Sequence, residues 1–308
     1  MSRYRNVALF VALAAVWGSA FMAIKAGLDY FPPVLFAAIR YDIAGVLMLA
    51  YAVYATDRWR PRTRGEWQLV AVGATLMIAG YHAFLFVGEQ YTTSAVAAVI
   101  ISLNPVLTTG CARLFLPSER LTPAGIAGLL LGLVGVVVLS DPNPNNLVTS
   151  GVVGQALVLA AAASFALGSV LTRRIDAELP IETMEAWSMV LGALLMHAVS
   201  VARPSESLAA VQWTPEAIWA MAYLSIAASA LGFLVYFDLL ERLGPIEINL
   251  VSYVAPVFAA LSGWWFLDEV IDLTTVAGFL VIFAGFCLVK REALARELPK
   301  LRGVVTRR

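Results

Sequence analysis

Charged side chains are scarce in this chain. Of its 308 residues, 21 are lysine or arginine and 21 are aspartate or glutamate, which together make up 14% of the sequence. Soluble domains average about 25% charged residues, because their surfaces are hydrated. The formal net charge is zero, so the composition does not point to a nucleic-acid partner. The shortage of charge argues against a soluble protein, and its balance argues against binding to nucleic acid.

Cysteine and histidine occur only twice each. Cys111 and Cys287 lie in apolar stretches, where a thiol behaves as a small hydrophobic group, so no disulfide framework is expected. His82 and His197 are far apart and have no metal-ligand spacing. The sequence also lacks a glycine-rich phosphate loop, a nucleophile elbow and a dinucleotide fingerprint. We expect no cofactor, no metal and no catalytic residues.

Apolar residues are abundant instead. They make up 60% of the chain, and the mean hydropathy is +0.81. Ten apolar stretches have roughly the 18–25 residues that a helix needs to cross a bilayer. They cover residues 7–26, 34–54, 68–88, 94–116, 123–140, 152–172, 181–202, 217–240, 246–267 and 274–290. We therefore predict an all-α membrane protein with ten transmembrane helices.

Lysine and arginine are unevenly distributed between the connections. If the N-terminus is cytoplasmic, the cytoplasmic segments hold nearly all the basic residues, and the external connections hold only Arg203. The positive-inside rule then places both termini in the cytoplasm. Residues 292–308 form a basic cytoplasmic tail in this interpretation. We expect a multi-pass protein of the cell inner membrane.

One segment of the chain is repeated. The pattern of residues 121–139 returns 150 positions later in residues 271–289, and such duplication defines an architecture. The matched small residues are Ala127, Gly128 and Gly135 with Ala277, Gly278 and Gly285. Five helices per copy is an odd number, so the second copy enters the membrane from the opposite side. We predict two inverted five-helix repeats, residues 1–145 and 146–291, around a central cavity.

Several short motifs in both copies resemble those of the drug/metabolite transporter superfamily, specifically its EamA-like branch. In the first copy they lie within residues 16–25, 93–105 and 119–128, and in the second within 244–258 and 267–278. The resemblance covers about residues 5–291. It implies a secondary transporter, often an exporter of amino acids, metabolites or toxic organic compounds, and no enzyme chemistry. It also implies a cavity lined by helices one, three, four, six, eight and nine.

Three polar residues within the predicted spans have no counterpart in the other copy. Polar groups in a bilayer are costly, so each needs a partner or a water-filled cavity. Tyr81 and His82 could hydrogen-bond a substrate, and His82 could carry a coupling proton. The alternative is a structural histidine that bonds two helices. Asn104 precedes a proline at mid-membrane, and we predict that it too contacts substrate.

Aromatic residues near the span centres are candidates for the wall of a substrate pocket. Trp17 and Phe165 occupy matched positions in helices one and six, and tryptophan otherwise prefers the membrane interface. Trp187, Tyr236 and Tyr253 are further candidates. For each of the five, ordinary packing between helices is the alternative.

Three residues are candidates for gates or hinges. Pro105 and Pro256 lie in matched helices, and each removes a backbone donor from its helix. Lys25 lies at a helix end, where its ammonium could serve a gate or simply reach the interface. We also expect a salt bridge between Arg40 and Glu89. The Gly128-x-x-x-Gly132 motif predicts a close contact with another helix of the same chain.

These observations predict a secondary transporter that moves small amphipathic solutes, such as amino acids, by alternating access, with export as the expected direction. Its partners are a small-molecule substrate and the lipid bilayer, and the chain is a monomer or a weak homodimer. Phosphorylated or nucleotide-sugar substrates are an alternative, which would need basic residues that face the cavity. A channel and an intramembrane enzyme are alternatives of another class.

Overall fold

Helices dominate the computed structural model, which describes residues 2–116, 123–141, 149–243, 248, 250–289 and 291. Within those residues no strand occurs. The ten main helices are α1 (Ser2–Gly27), α2 (Pro33–Ala55), α3 (Arg64–Glu89), α4 (Ser94–Phe115), α5 (Pro123–Ser140), α6 (Ser150–Arg174), α7 (Ile181–Val201), α8 (Pro215–Leu243), α9 (Val251–Leu267) and α10 (Leu273–Val289). Each apolar stretch of the sequence coincides with one of these helices.

The lengths of the helices agree with a multi-pass membrane protein. Eight of them, α1 to α8, are long and apolar enough to cross a membrane. The helices α9 and α10 are apolar but have 17 residues each. At 1.5 Å per residue they extend about 25 Å, near the lower limit for a span. The expected boundary between copies at 145/146 and the basic tail 292–308 lie outside the described residues.

The pairs of packed helices follow a simple rule. The helix α2 packs on α7, and α5 packs on α10. The helix α1 packs on α9 and α8, while α6 packs on α4 and α3. Likewise α3 packs on α7, and α8 packs on α2. If helices α1–α5 are renumbered α6–α10 and helices α6–α10 are renumbered α1–α5, each of these pairs becomes another pair of the set or stays the same pair.

The matched glycines of α5 and α10 face each other. A Cβ atom built on Gly128 would lie 2.6 Å from the carbonyl oxygen of Gly285, and one built on Gly278 would lie 2.8 Å from that of Gly135. Only glycine permits such a close approach of two helix backbones. The expected intramolecular contact of the small-residue motif is therefore confirmed.

Hydrogen bonds link the segments that connect the helices at one end of the bundle, which we call the Tyr30 end. The Gln212 N–H donates to the carbonyl of Tyr30 at 2.9 Å, and the carboxylate of Glu206 accepts from the first N–H groups of α2. The carboxylate of Glu269 accepts from the Ser94 N–H at the start of α4. The connections after α1 and α7 thus lie together, as do those after α3 and α9, and the Lys25 ammonium joins the two groups by donating to the carbonyls of Glu89 and Gln90.

Other connections meet at the opposite end, which we call the Arg58 end. Arg58 forms an ion pair with Glu66 and donates to the carbonyl of Glu178 at 3.0 Å. The Thr183 hydroxyl donates to the carbonyl of Arg58 at 2.8 Å. The connections after α2 and α6 therefore lie together, as a chain that crosses back and forth requires.

Two helices contain a π-helical segment, which the sequence analysis did not anticipate. Residues Gly73–Gly80 of α3 and Tyr223–Leu231 of α8 adopt this wider helix. The two segments begin at positions 150 residues apart. Such segments are rare and often occur at functional sites, because the wider turn leaves backbone carbonyls available to other donors.

The two prolines of α4 and α9 have different local structures. The α-helix of α4 ends at Ile101 and resumes at Asn104, so Pro105 is the second residue of the resumed helix. Pro256 instead lies within the continuous helix Val251–Leu267. The expected interruption therefore occurs in α4, while α9 continues through its proline.

Candidate functional site

A buried polar cluster joins α2, α3 and α8. His82 is 6% exposed, its Nδ1 lies 2.9 Å from the carbonyl oxygen of Ile78, and its Nε2 lies 2.7 Å from the hydroxyl of Tyr41. A carbonyl only accepts hydrogen bonds, so Nδ1 carries the hydrogen. In the neutral ring Nε2 is then an acceptor, and Tyr41 donates to it. Both nitrogens of His82 thus have protein partners.

Arg40 is the charged member of this polar cluster and is 6% exposed. Its Nε donates to the hydroxyl of Ser229, in the π-helical segment of α8, at 3.1 Å. Its guanidinium lies 5.2 Å from the ring centre of Tyr41 and 5.9 Å from that of Phe86. Among the described residues, no carboxylate lies within 4.0 Å of it.

The expected salt bridge between Arg40 and Glu89 is therefore wrong. Arg40 is the eighth residue of α2, about 10 Å along the helix from its start at the Tyr30 end. Glu89 is the last residue of α3 and lies at that end itself. The two side chains differ in depth, and Arg40 bonds to α8 instead.

The sequence analysis missed Glu185 of α7. This side chain is 8% exposed, and it lies within electrostatic range of the hydroxyls of Tyr41 and Tyr236. No cation of the described residues lies within 4.0 Å of its carboxylate. The available signal was an acidic residue within an apolar span, which by itself indicates a functional position.

An aromatic cluster lies beside the polar one, between α1 and α8. The ring centres of Phe233 and Tyr236 lie 5.8 and 5.5 Å from that of Trp17. The indole Nε1 of Trp17 donates to the carbonyl of Ala228 in the π-helical segment at 3.0 Å. Gly232 leaves room for the indole, because a Cβ there would lie 2.7 Å from Nε1. A central tryptophan therefore has a hydrogen-bonding reason to be there.

The remaining predicted pocket residues are dispersed. Phe165 lies 5.5 Å from Tyr81, which contacts His82, so these residues adjoin the polar cluster. Tyr253 is 5% exposed and packs on Phe286 of α10 at 4.3 Å.

Trp187 lies at the Arg58 end. Its Nε1 donates to the carbonyl of Trp59 at 2.9 Å, and its ring contacts Trp67. It lines a surface cavity of about 500 Å³ at this end. Trp187 and Tyr253 thus lie apart from both clusters.

Asn104 and Lys25 have contrasting surroundings. The amide oxygen of Asn104 is buried and has no hydrogen-bond partner among the described residues. The Lys25 ammonium donates to the carbonyls of Glu89 and Gln90 at 2.8 and 3.1 Å. Lys25 therefore ties the end of α1 to the end of α3. Whether Lys25, Pro105 and Pro256 take part in gating stays a prediction.

Comparisons with known proteins place this geometry in context. The model of the EamA-like transporter family matches residues 5–141 and 152–291. The uncharacterized transporter YvbV of Bacillus subtilis strain 168 is 28% identical over 297 residues, covering 96% of this chain and 95% of that protein. The uncharacterized inner membrane transporter YedA of Escherichia coli K12 is 29% identical over 302 residues, covering 97% and 94%.

The fold also has a solved counterpart. One crystal structure superposes with a TM-score of 0.65, covers 94% of this chain and 99% of its own, and is 24% identical. At that identity the likeness concerns the fold alone.

Proposed function

Because the chain belongs to the EamA-like transporter family, we propose that it is a secondary transporter that moves amino acids or similar small amphipathic solutes by alternating access. Family membership makes it a multi-pass membrane transporter. The substrate class, the export direction and the mechanism are our proposals. The observation that carries them is a pair of buried, opposite, unpaired charges beside an aromatic cluster.

The two charges are opposite in sign, as are the two charged groups of an amino acid, and they lie at different depths, because each is five residues from the Gly45–Val190 contact of α2 with α7, toward opposite ends of the bundle. Arg40 and Glu185 both lie within electrostatic range of the Tyr41 hydroxyl, and neither has an oppositely charged partner within 4.0 Å among the described residues. Burying a charge without a partner is costly, so a ligand that supplies the partner is favoured. A guanidinium suits a carboxylate, and a carboxylate suits an ammonium.

The aromatic cluster is placed to receive the substrate side chain. Tyr236 belongs to this cluster and also lies within electrostatic range of Glu185. An amino acid with its carboxylate at Arg40 would extend its apolar part toward Trp17 and Phe233, on the side of the site that leads to Tyr236 and Glu185. Phosphorylated substrates fit less well, since Lys25, a second basic residue toward the Tyr30 end, donates to backbone carbonyls.

Alternating access is supported by the symmetry of the helix pairs. The same family model matches two segments of the chain, and the packed helix pairs named above are interchanged when each helix number is shifted by five. We propose that α1–α5 and α6–α10 are inverted repeats and that all ten helices cross the membrane. The basic residues gathered at the Arg58 end make it the cytoplasmic end in this proposal.

The test is counterflow of labelled amino acids in proteoliposomes. We expect saturable counterflow with the wild type. Arg40→Gln and Glu185→Gln should each weaken substrate affinity roughly 10- to 100-fold, because a hydrogen bond to a charged group contributes about 1.5–3 kcal/mol. Phenethylamine, which lacks the carboxylate, should compete equally with wild type and Arg40→Gln.

Glu216→Gln is the matched control, since Glu216 is an exposed acid at the start of α8. Its counterflow should equal that of the wild type. The substrate class is wrong if no aromatic or aliphatic amino acid shows counterflow. Flux that never saturates would instead indicate a channel. Uptake into inside-out vesicles checks the direction.

A further inference from the structure

Glu89 is completely buried, and its carboxyl group has no partner in the part of the chain that the structure describes. Its exposed fraction is 0%, and neither Oε1 nor Oε2 has a hydrogen-bond partner among the described residues. Buried carboxylates are nearly always hydrogen-bonded or ion-paired, because an isolated buried charge is very unfavourable. A carboxyl group in this position is stable when it holds a proton and is therefore neutral.

A second acid at the same end shows how different this situation is. Glu269 accepts hydrogen bonds from the Ser94 N–H at 3.0 Å and from the Ser94 hydroxyl at 2.7 Å. Its carboxylate caps the start of α4, where the unpaired N–H groups of a helix favour negative charge. Glu269 thus has a structural role as an anion. Glu89 has no such partners.

A cation lies close to Glu89 without contacting its carboxyl group. The Lys25 ammonium donates to the main-chain carbonyls of Glu89 and Gln90. A change of side-chain rotamer, together with a small opening of this end, would bring the ammonium to the carboxylate. When this end is open, the ionised carboxylate of Glu89 then has Lys25 as a partner. When the end is closed, Lys25 bonds to main-chain carbonyls instead.

The other elements around Glu89 contribute few charges. Arg40 of α2, Glu269 after α9 and Tyr81 of α3 lie within electrostatic range. The helix α6 packs on Gly88 through uncharged residues, including Gly154. Lys25 and Arg40 favour the carboxylate, while Glu269 and burial oppose it. Whether the carboxyl group of Glu89 is protonated or ionised therefore depends on whether water reaches it.

We propose that Glu89 is a proton-binding site that is occupied while the Tyr30 end is closed and empties when this end opens. On opening, the O–H bond of the carboxyl group breaks, the proton passes to water, and Lys25 balances the remaining negative charge. By linkage, acid on this side favours the closed state. The inference rests on the proposed transport function and adds a proton to its cycle.

The first test does not depend on a substrate. Infrared spectra of proteoliposomes at neutral pH should show the C=O stretch of protonated carboxyl groups in the wild type, and the contribution of Glu89 should be lost in Glu89→Gln, while Glu185→Gln, which removes another buried acid, should keep it. Glu216→Gln should keep it. An unchanged band in Glu89→Gln would overturn the proposal.

The second test measures counterflow of labelled phenylalanine as the pH on the Tyr30 side is lowered. The wild-type rate should fall, by up to about tenfold per pH unit for a single proton. Glu89→Gln stays neutral, so its rate should be low and independent of pH, while Glu216→Gln should follow the wild type. Identical pH profiles in wild type and Glu89→Gln would refute the site and leave transport intact. Absent wild-type counterflow with every amino acid would refute the proposed function, and the infrared band would still decide the state of Glu89.

Discussion

The helices α3 and α8 have the same backbone and different chemistry. Each contains a π-helical segment, and in each a side chain from another helix donates to a carbonyl of that segment. In α3 the donor is the Ser164 hydroxyl of α6, which lies 2.7 Å from the Leu76 oxygen. In α8 it is the Trp17 indole of α1, which lies 3.0 Å from the Ala228 oxygen. The donors belong to helices five apart in the chain, as do the acceptors.

The residues that follow the two segments diverge. After the segment of α3 come Tyr81 and His82, and His82 bonds to Tyr41 in a polar environment. After the segment of α8 come Gly232 and Phe233, which accommodate and contact Trp17. The same backbone form thus presents a polar surface in α3 and an aromatic surface in α8. An amphipathic solute needs both.

The largest effect is expected from filling the space beside Trp17. In Gly232→Ala the new Cβ would meet the indole Nε1 at 2.7 Å, so Trp17 must move and its hydrogen bond to α8 weakens. Overpacking of this kind costs about 1–3 kcal/mol. A lower melting temperature in detergent should report it.

Gly151→Ala is the matched control, since a Cβ there would lie 3.9 Å from its nearest neighbours, the Thr149 hydroxyl and the Tyr91 carbonyl. Its melting temperature should equal or exceed that of the wild type, because alanine is the better helix former. Equal melting temperatures for the two variants would contradict the prediction, because they would mean that Trp17 can move away from the new methyl group without loss of stability.

A smaller effect is expected from giving α3 the residue of α8. His82→Phe removes the acceptor of the Tyr41 hydroxyl, which is buried and then has Ser229 as its remaining side-chain partner. The cost should be about 1–2 kcal/mol in the free energy of unfolding, with a loss of counterflow.

A double-mutant cycle with Tyr41→Phe isolates the bond itself. Once His82 is phenylalanine, Tyr41→Phe should cost much less than it does in the wild type. Additive costs would show that the Tyr41–His82 pair contributes no coupling energy.

The smallest effect is expected at the donor to α3. Ser164→Ala removes one hydrogen bond between helices, which in membrane proteins averages about 0.6 kcal/mol. Ser169→Ala is the control, since among the described residues the Ser169 hydroxyl bonds only to the carbonyl of Ala166 in its own helix. Unfolding in mixed micelles should separate the two variants. A larger loss in Ser169→Ala would argue against the cross-helix role of Ser164.

Some features of the site could be read from the sequence. His82 and Trp17 were identified because a histidine and a tryptophan are unusual in the middle of an apolar span. Their partners could not be identified in this way, because Tyr41 and Ala228 are distant in the chain and ordinary in type. Glu185 could have been identified in the same way, because it is an acidic residue within an apolar span. The predicted salt bridge between Arg40 and Glu89 is wrong, because two residues near the same face of the membrane can still lie at different depths.

The sequence by itself determined the positions of the helices, the membrane class and the close approach of another helix to the glycines of α5. These follow from apolar length and from small residues at fixed spacing, which are local properties. Only the tertiary structure decided which polar groups find partners. The pairing of His82 with Tyr41, the isolation of Glu89 and the unpaired charges of Arg40 and Glu185 depend on helices that meet across the whole chain. Whether a buried charge is satisfied is a property of all its neighbours, and no single segment contains them.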